Sequence, residues 1–157
     1  MANIIHLSVT GYQQGLLSAG CGTEKSIGNK WQRGHEDEIF IYEIANTVTS
    51  EDNLSFHPVT IRKPIDKATP LLLQELNDKE MLEGCFHFYR TSAHGGNELY
   101  SKMKLAKARI TEINYLYPNS VTHNDLQPQE LISLRFATVT MEHTVAHTSA
   151  WASWKGE

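Results

Sequence analysis

Eight histidines, two cysteines and a few acidic clusters are the residues of this chain with chemistry to offer, and their spacing decides which chemistries are open. His143 and His147 stand four apart, with Glu142 beside the first. In a strand that spacing sets both histidines on one face. No third ligand is placed near them, so the pair reads as surface or hydrogen-bonded histidines. Gly34-His35-Glu36-Asp37-Glu38 gathers three acids beside one histidine. A zinc-protease helix needs two histidines on one helical face with a glutamate between them. Here a single histidine leads into a strand, and a solvated turn is the better reading. Cys21 and Cys85 do not form a disulfide framework. Cys85 sits in a strong strand as a small buried hydrophobe, whereas Cys21 lies in a glycine-rich loop with room to be exposed. A Cys–His nucleophile also needs an orienting third group, which nothing in the sequence supplies.

Two further patterns fall short of function. Gly20-Cys21-Gly22-Thr23 and Ser26-Ile27-Gly28-Asn29-Lys30 are rich in glycine, but no lysine–serine pair and no helix follow as a phosphate cradle requires. Lys102, Lys104, Lys107 and Arg109 form a basic stretch without interleaved aromatic rings on which bases would stack. Acids outnumber bases by 18 to 14, a net charge of −4, which argues against nucleic-acid binding through bulk positive charge. No apolar run approaches the length of a membrane span. The N-terminus Met1-Ala2-Asn3-Ile4-Ile5-His6 has neither the basic region nor the apolar core of a signal peptide. We therefore expect no catalytic residue, no metal and no cofactor.

The elements that would carry these residues are mostly strands. Phe56 to Leu73 is the organising stretch: Val59-Thr60-Ile61-Arg62 alternates as a half-buried strand, with Pro58 and Pro64 at its ends. Thr69-Pro70 then supplies an N-cap and a first-turn proline. Leu72, Leu73 and Leu76 give the helix an apolar face, and Asn77-Asp78 ends it. Ile4–Thr10, a short Leu16–Ala19, Glu36–Val48, Glu83–Thr91, Leu99–Tyr117 and Glu130–Thr144 read as further strands. In Glu36–Val48 both faces are apolar, and in the last strand the phase slips between Phe136 and Val139, as a β-bulge would produce. Ala93-His94-Gly95-Gly96-Asn97 is a hairpin turn. Asn46 to Leu54 is a polar, protruding loop. Ser149-Ala150-Trp151-Ala152-Ser153-Trp154 places two tryptophans near the end, a latch onto the chain's own barrel or a neighbouring subunit. The expectation is one domain over residues 1–157, mainly β: an antiparallel barrel or sandwich with one flanking α-helix at about 70–77 and a protruding loop near 46–54.

Taken together these stretches resemble the Hcp (haemolysin-coregulated protein) family, which forms the tube of the bacterial type VI secretion system. The resemblance rests on His57-Pro58-Val59-Thr60-Ile61 running into Lys63-Pro64-Ile65-Asp66-Lys67-Ala68-Thr69-Pro70-Leu71-Leu72. It is carried further by Phe86-His87-Phe88-Tyr89-Arg90, Tyr100–Ile113, Glu130-Leu131-Ile132-Ser133-Leu134-Arg135-Phe136, the Ile4-His6-Leu7 strand and Gly34-His35-Glu36. Met141 stands where the family pattern has an aromatic residue, and Thr138 where it has lysine. Ending at Glu157, the chain matches the bare structural form rather than members with an appended toxin.

The resemblance implies a homohexamer whose rings stack into a tube, tipped by a VgrG-type spike protein and wrapped by contractile sheath proteins. It implies small effector cargo in the channel, no nucleic-acid partner and no membrane insertion. The protein would assemble in the bacterial cytoplasm and be secreted without a signal peptide. A ring needs two complementary faces per subunit. Asn46, Thr47, Val48, Thr49, Ser50, Glu51, Asp52, Asn53 and Leu54, with Trp151 and Trp154, are the expected oligomer or ring-stacking contacts. The alternatives are a stand-alone small β-barrel that binds a ligand or acts as an enzyme, and a phage-like tail-tube protein.

Overall fold

In the computed structural model, residues 3–154 are described; Met1 and Ala2, with their place in the signal-peptide reading, and the terminal residues through Glu157 lie outside them. In chain order the elements are β1 (Asn3–Gly11), β2 (Gly15–Leu16), α1 (Glu24–Ile27), a 3₁₀ turn (Gly28–Lys30), β3 (Ile39–Ile41), β4 (Glu43–Ala45), β5 (Val48–Ser50), β6 (Leu54–Phe56) and β7 (Val59–Pro64). Then come α2 (Thr69–Asp78), β8 (Leu82–Thr91), β9 (Asn97–Leu116), β10 (Gln129–Arg135), β11 (Thr138–His143) and β12 (Thr148–Ser153). Every strand pairing is antiparallel.

The long strand β9 links the two halves of the molecule. Its first half pairs with β8 on one edge and β11 on the other, and its second half pairs with β10. From β8 the sheet continues to β1, and from β10 it continues to β7 and β4. The segment 39–45 brings these ends together. β3 pairs with β1 through Ile5 and Ile41, β4 pairs with β7 through Ile44 and Ile61, and the Tyr42 N–H between them donates to the Arg62 carbonyl at 2.8 Å. The strand expected over Glu36–Val48 is thus split, because its middle changes neighbours at Tyr42. The strand expected over Glu130–Thr144 is split too: β10 and β11 follow one edge of β9 but part at Phe136-Ala137, opposite Lys107, whose φ is 52°. The β9–β10 register shifts between Ser133 and Leu134, where Thr111 of β9 is the extra residue, rather than between Phe136 and Val139.

The alternating side chains of β1, β3, β7, β8, β9 and β10 meet inside this wrapped sheet. Ile5, Leu7, Val9, Ile39, Ile41, Val59, Ile61, Phe86, Met103, Leu105, Ile132 and Leu134 form one core, joined by Leu72 from α2 and by Ala68, the residue that caps it. The helix differs from expectation in three ways. It starts at Thr69 with Ala68 as cap; Leu73 is exposed while Glu75 is buried; and Lys79 rather than an asparagine takes the left-handed position that ends it, with φ 55°. The glycine-rich loop also holds a second, four-residue helix, α1. The Leu16–Ala19 strand shrinks to Gly15–Leu16, beyond which Leu17 and Ser18 are buried.

At the end of the core row on β7, where Val59 and Ile61 alternate inward, the next inward residue is Lys63, 0% exposed. Its Nζ donates to Pro64 O at 2.9 Å, to Asp66 Oδ1 at 2.9 Å and to Glu130 Oε2. Thr69 Oγ1 donates to the same Glu130 oxygen and accepts from Asp66 N–H at 3.0 Å, while Asp66 Oδ1 accepts from Ala68 N–H at 2.9 Å. An ammonium has three donors, and here all three are used. Removing the cation strands two buried carboxylates, which typically costs 3–5 kcal/mol. Lys63→Met should therefore lower the urea-unfolding free energy by about 3–5 kcal/mol; a loss under about 1 kcal/mol would show the network to be dispensable.

Candidate functional site

The cysteines exchange the roles expected of them. Cys21 is 0% exposed, its thiol donates to Leu17 O at 3.3 Å, and burial pushes its pKa up to about 12. Cys85 is only half-buried, with Sγ 3.7 Å from His87 Nε2. Neither is a thiolate at neutral pH, since burial also raises Cys85. His143 ends β11, and His147 lies in the turn beyond it with φ 60°, so the two do not share a strand face.

Titratable groups converge instead at β1. His6 points away from the apolar core, opposite Phe40 on β3 and His87 on β8. The turn preceding β3 folds over it. Gly20 N–H donates to Asp37 Oδ1 at 3.0 Å, and Gly22 N–H donates to Glu36 O at 2.9 Å. A Cβ on Gly22 would stand 2.0 Å from His35 O, so glycine is what lets the turn seat. His35 then stacks on His6 with centroids 4.0 Å apart and planes 5° from parallel, and Tyr89 meets both rings edge-on. Its Nδ1 contacts Glu38 Oε1 at 2.5 Å, and Glu38 Oε2 lies 3.3 Å from His87 Nδ1. Gly34–Glu38 is a turn with Gly34, Glu36 and Asp37 exposed, as expected, but its half-buried His35 and Glu38 also cover a buried histidine. His6 is 2% exposed, and neither ring nitrogen has a hydrogen-bond partner. Burial, with His35 adding to it, pushes its pKa down to about 4 against the opposing pull of Glu38 and Gln32.

A second cluster joins α2 to the β1–β2 turn. Gln14 Nε2 donates to Glu75 Oε1 at 2.6 Å, and Glu80 Oε1 accepts from Gln13 N–H and from Gln14 N–H at 3.1 Å. Both carboxyl groups crowd Gly11, whose absent Cβ would fall 2.7 Å from Glu75 Oε1. Burial and a proton held against Glu80 raise Glu75 to about 7, while those same hydrogen bonds keep Glu80 low.

The expected contact residues sit on two projecting features. Residues 46–54 are not an irregular loop: β5 and β6 form a separate hairpin, with Val48 opposite Phe56 and Ser50 opposite Leu54. Asn46, Thr47, Val48, Thr49, Ser50, Glu51, Asp52 and Asn53 are all exposed. The hairpin is tied to the body by His57 N–H donating to Thr47 O at 3.0 Å and by Phe56 stacking on Phe136 at 4.7 Å. The tail is a strand, β12, paired among the described residues to β11 on one edge only. Trp154 packs on the core cluster, whereas Trp151 is 72% exposed. The structure does not bring the tryptophans and the hairpin into one sheet.

With this geometry the chain falls into a known group. A family model described as "Type VI secretion system effector, Hcp" matches residues 7–143. The chain belongs to the Hcp family. It is 35% identical to the "Major exported protein" of Pseudomonas aeruginosa, across 99% of this chain and 97% of that one. It is 40% identical to YhhZ of Escherichia coli K12 over 94% of this chain, but spans only 37% of the length of YhhZ. A solved structure titled "Crystal structure of Hcp protein" superposes with a TM-score of 0.93 at 32% identity, covering 99% and 100% of the two chains. The secreted protein Hcp3 from Pseudomonas aeruginosa gives 0.89 at 35% identity. Among the described residues, no helix is long and apolar enough to cross a membrane.

The carboxyl pair yields a signed pH dependence. Glu75 holds its proton to about 7 when folded, against an ordinary value of 4.5. Between those values the unfolded chain releases a proton that the folded one keeps, so this group's contribution falls as pH rises through that window. Glu75→Gln should flatten that fall in the unfolding free energy and leave the variant the more stable of the two above neutrality. An unchanged slope would show that the pair does not titrate there.

Proposed function

We propose that this chain is a structural tube component of a type VI secretion system. Six copies close into a ring, rings stack into the inner tube, and the tube leaves the cell with a VgrG-type spike when contractile sheath proteins shorten. Small effectors travel in the channel. The observation that supports this reading most strongly is family likeness over the whole chain at a TM-score of 0.93. Export is supported by the name of the Pseudomonas aeruginosa relative.

The two projecting features suit the roles of ring and stack contacts. An isolated two-stranded hairpin is marginal in water, and β5–β6 with its exposed row is held to the body at its base. Packing against a neighbouring ring would supply the missing cover. A single-sided edge strand carrying exposed Trp151 is likewise a surface that proteins ordinarily protect. In this proposal residues 46–54 contact the next ring, and β12 with Trp151 and Trp154 contacts a neighbour within the assembly.

Light scattering of the purified protein, with negative-stain images of the same fraction, tests the ring. Hexamers with a stained central hole are expected, and a monomer that persists at high concentration would overturn the reading. Replacing residues 48–53 by a short glycine–serine turn should abolish stacking and leave single rings intact. Stacking that survives this replacement would remove the hairpin from the interface.

A further inference from the structure

We propose that His6, His35 and Glu38 form a binding site for a first-row divalent cation of the zinc type, independent of the tube reading. One ligand atom from each residue lies within 4.8 Å of the other two. Two imidazoles and one carboxylate are the borderline donor set that such ions take, leaving a fourth position for water.

The observation that points to a ligand is His6 itself. It is 2% exposed, and neither ring nitrogen makes a hydrogen bond of good geometry, the Gln32 side chain being near enough only to pull its pKa upward. Buried polar atoms are nearly always paired, and an orphan calls for an explanation. A cation held between the rings and Glu38 would satisfy one of these nitrogens and neutralise the carboxylate. Glu38 is already fixed by contacts to His35 through one oxygen and to His87 through the other.

Ligand atoms around tetrahedral zinc stand roughly 3.4 Å apart, from bonds of about 2.1 Å. The cluster must therefore draw in, and the His35 ring must rotate out of its stack, because lone pairs lie in the ring plane. His35 can do this. It sits on the partly exposed covering turn, not on the sheet.

Zinc chloride titrated calorimetrically into chelator-treated, dialysed full-length protein at neutral pH tests the site. The expected result is one zinc per chain with a Kd below about 10 µM. His35→Asn and Glu38→Gln, both on the covering turn, should each weaken binding by about tenfold or more, with circular dichroism spectra unchanged. His143→Asn should bind as the parent does. Cobalt(II) added to the unmutated protein should give the intense visible bands of a tetrahedral site, a readout that needs no variant to fold. Absence of stoichiometric binding, binding that survives both turn substitutions, or binding that is lost in His143→Asn would each overturn the proposal.

Discussion

The ammonium of Lys63 stands where a hydrophobic side chain would continue the core row, and the arrangement of β7, β10 and α2 follows from how it is satisfied. An isolated buried cation is costly enough that it must be paired and fully hydrogen-bonded. Its three acceptors come from Pro64 at the strand end, Asp66 in the corner and Glu130 on the neighbouring strand. Thr69, the first residue of α2, bonds to the same Glu130 oxygen. A strand end, a corner, a helix start and a second strand thus share one charge cluster. Because Lys63 and Glu130 face each other directly in the ladder, the cluster also fixes register. Slipping one residue would turn the core row outward and separate the pair. A buried ion pair is weak evidence of net stability, but it is a strong constraint on which arrangement forms.

From that corner the rest of the barrel is constrained in sequence. β10 is held to β7, β9 must follow β10, and the first half of β9 must then carry β8 and β1. Closure falls to the segment 39–45, which reaches β1 with one half and β7 with the other. What remains outside this circuit is informative. The β5–β6 hairpin and β12 send Phe56 and Ala152 to the core, yet they leave residues 46–53 and Trp151 exposed. These exposed features are what the proposed ring and stack contacts would cover.

Much of this was legible because a period of two is a local signal. Ile5, Leu7 and Val9, or Phe86 and Phe88, alternate within a few residues and need no partner to be recognised. Where meaning depends on distant partners, the sequence was silent. Nothing local to Glu36–Val48 announces that its middle changes neighbours at Tyr42. Nothing local to Lys63 or Glu130 shows that each lies buried opposite the other. Cys21 looked open because glycines surround it, but the turn that Gly22 admits closes over that loop. His6 and His35 meet only when that turn lies on β1. The available signal was the polar residue within the otherwise apolar Ile4–Leu7 run.

Lys63 and His6 bury polar groups in opposite ways, and the contrast separates architecture from residual chemistry. Lys63 uses every donor, so it has nothing left to offer a ligand. His6 gives up its charge: burial holds its pKa near 4, so the ring is neutral and retains an unused lone pair under a cover that only hydrogen bonds and ring stacking hold down. That network resists change, because removing the cation strands two buried carboxylates. An unsaturated group beside a carboxylate does the reverse and favours whatever supplies the missing partner. In a barrel whose interior is filled by apolar side chains, binding capacity is left to the outward face of the sheet. The turn over β1 is where that face combines burial, nitrogen donors and a negative charge.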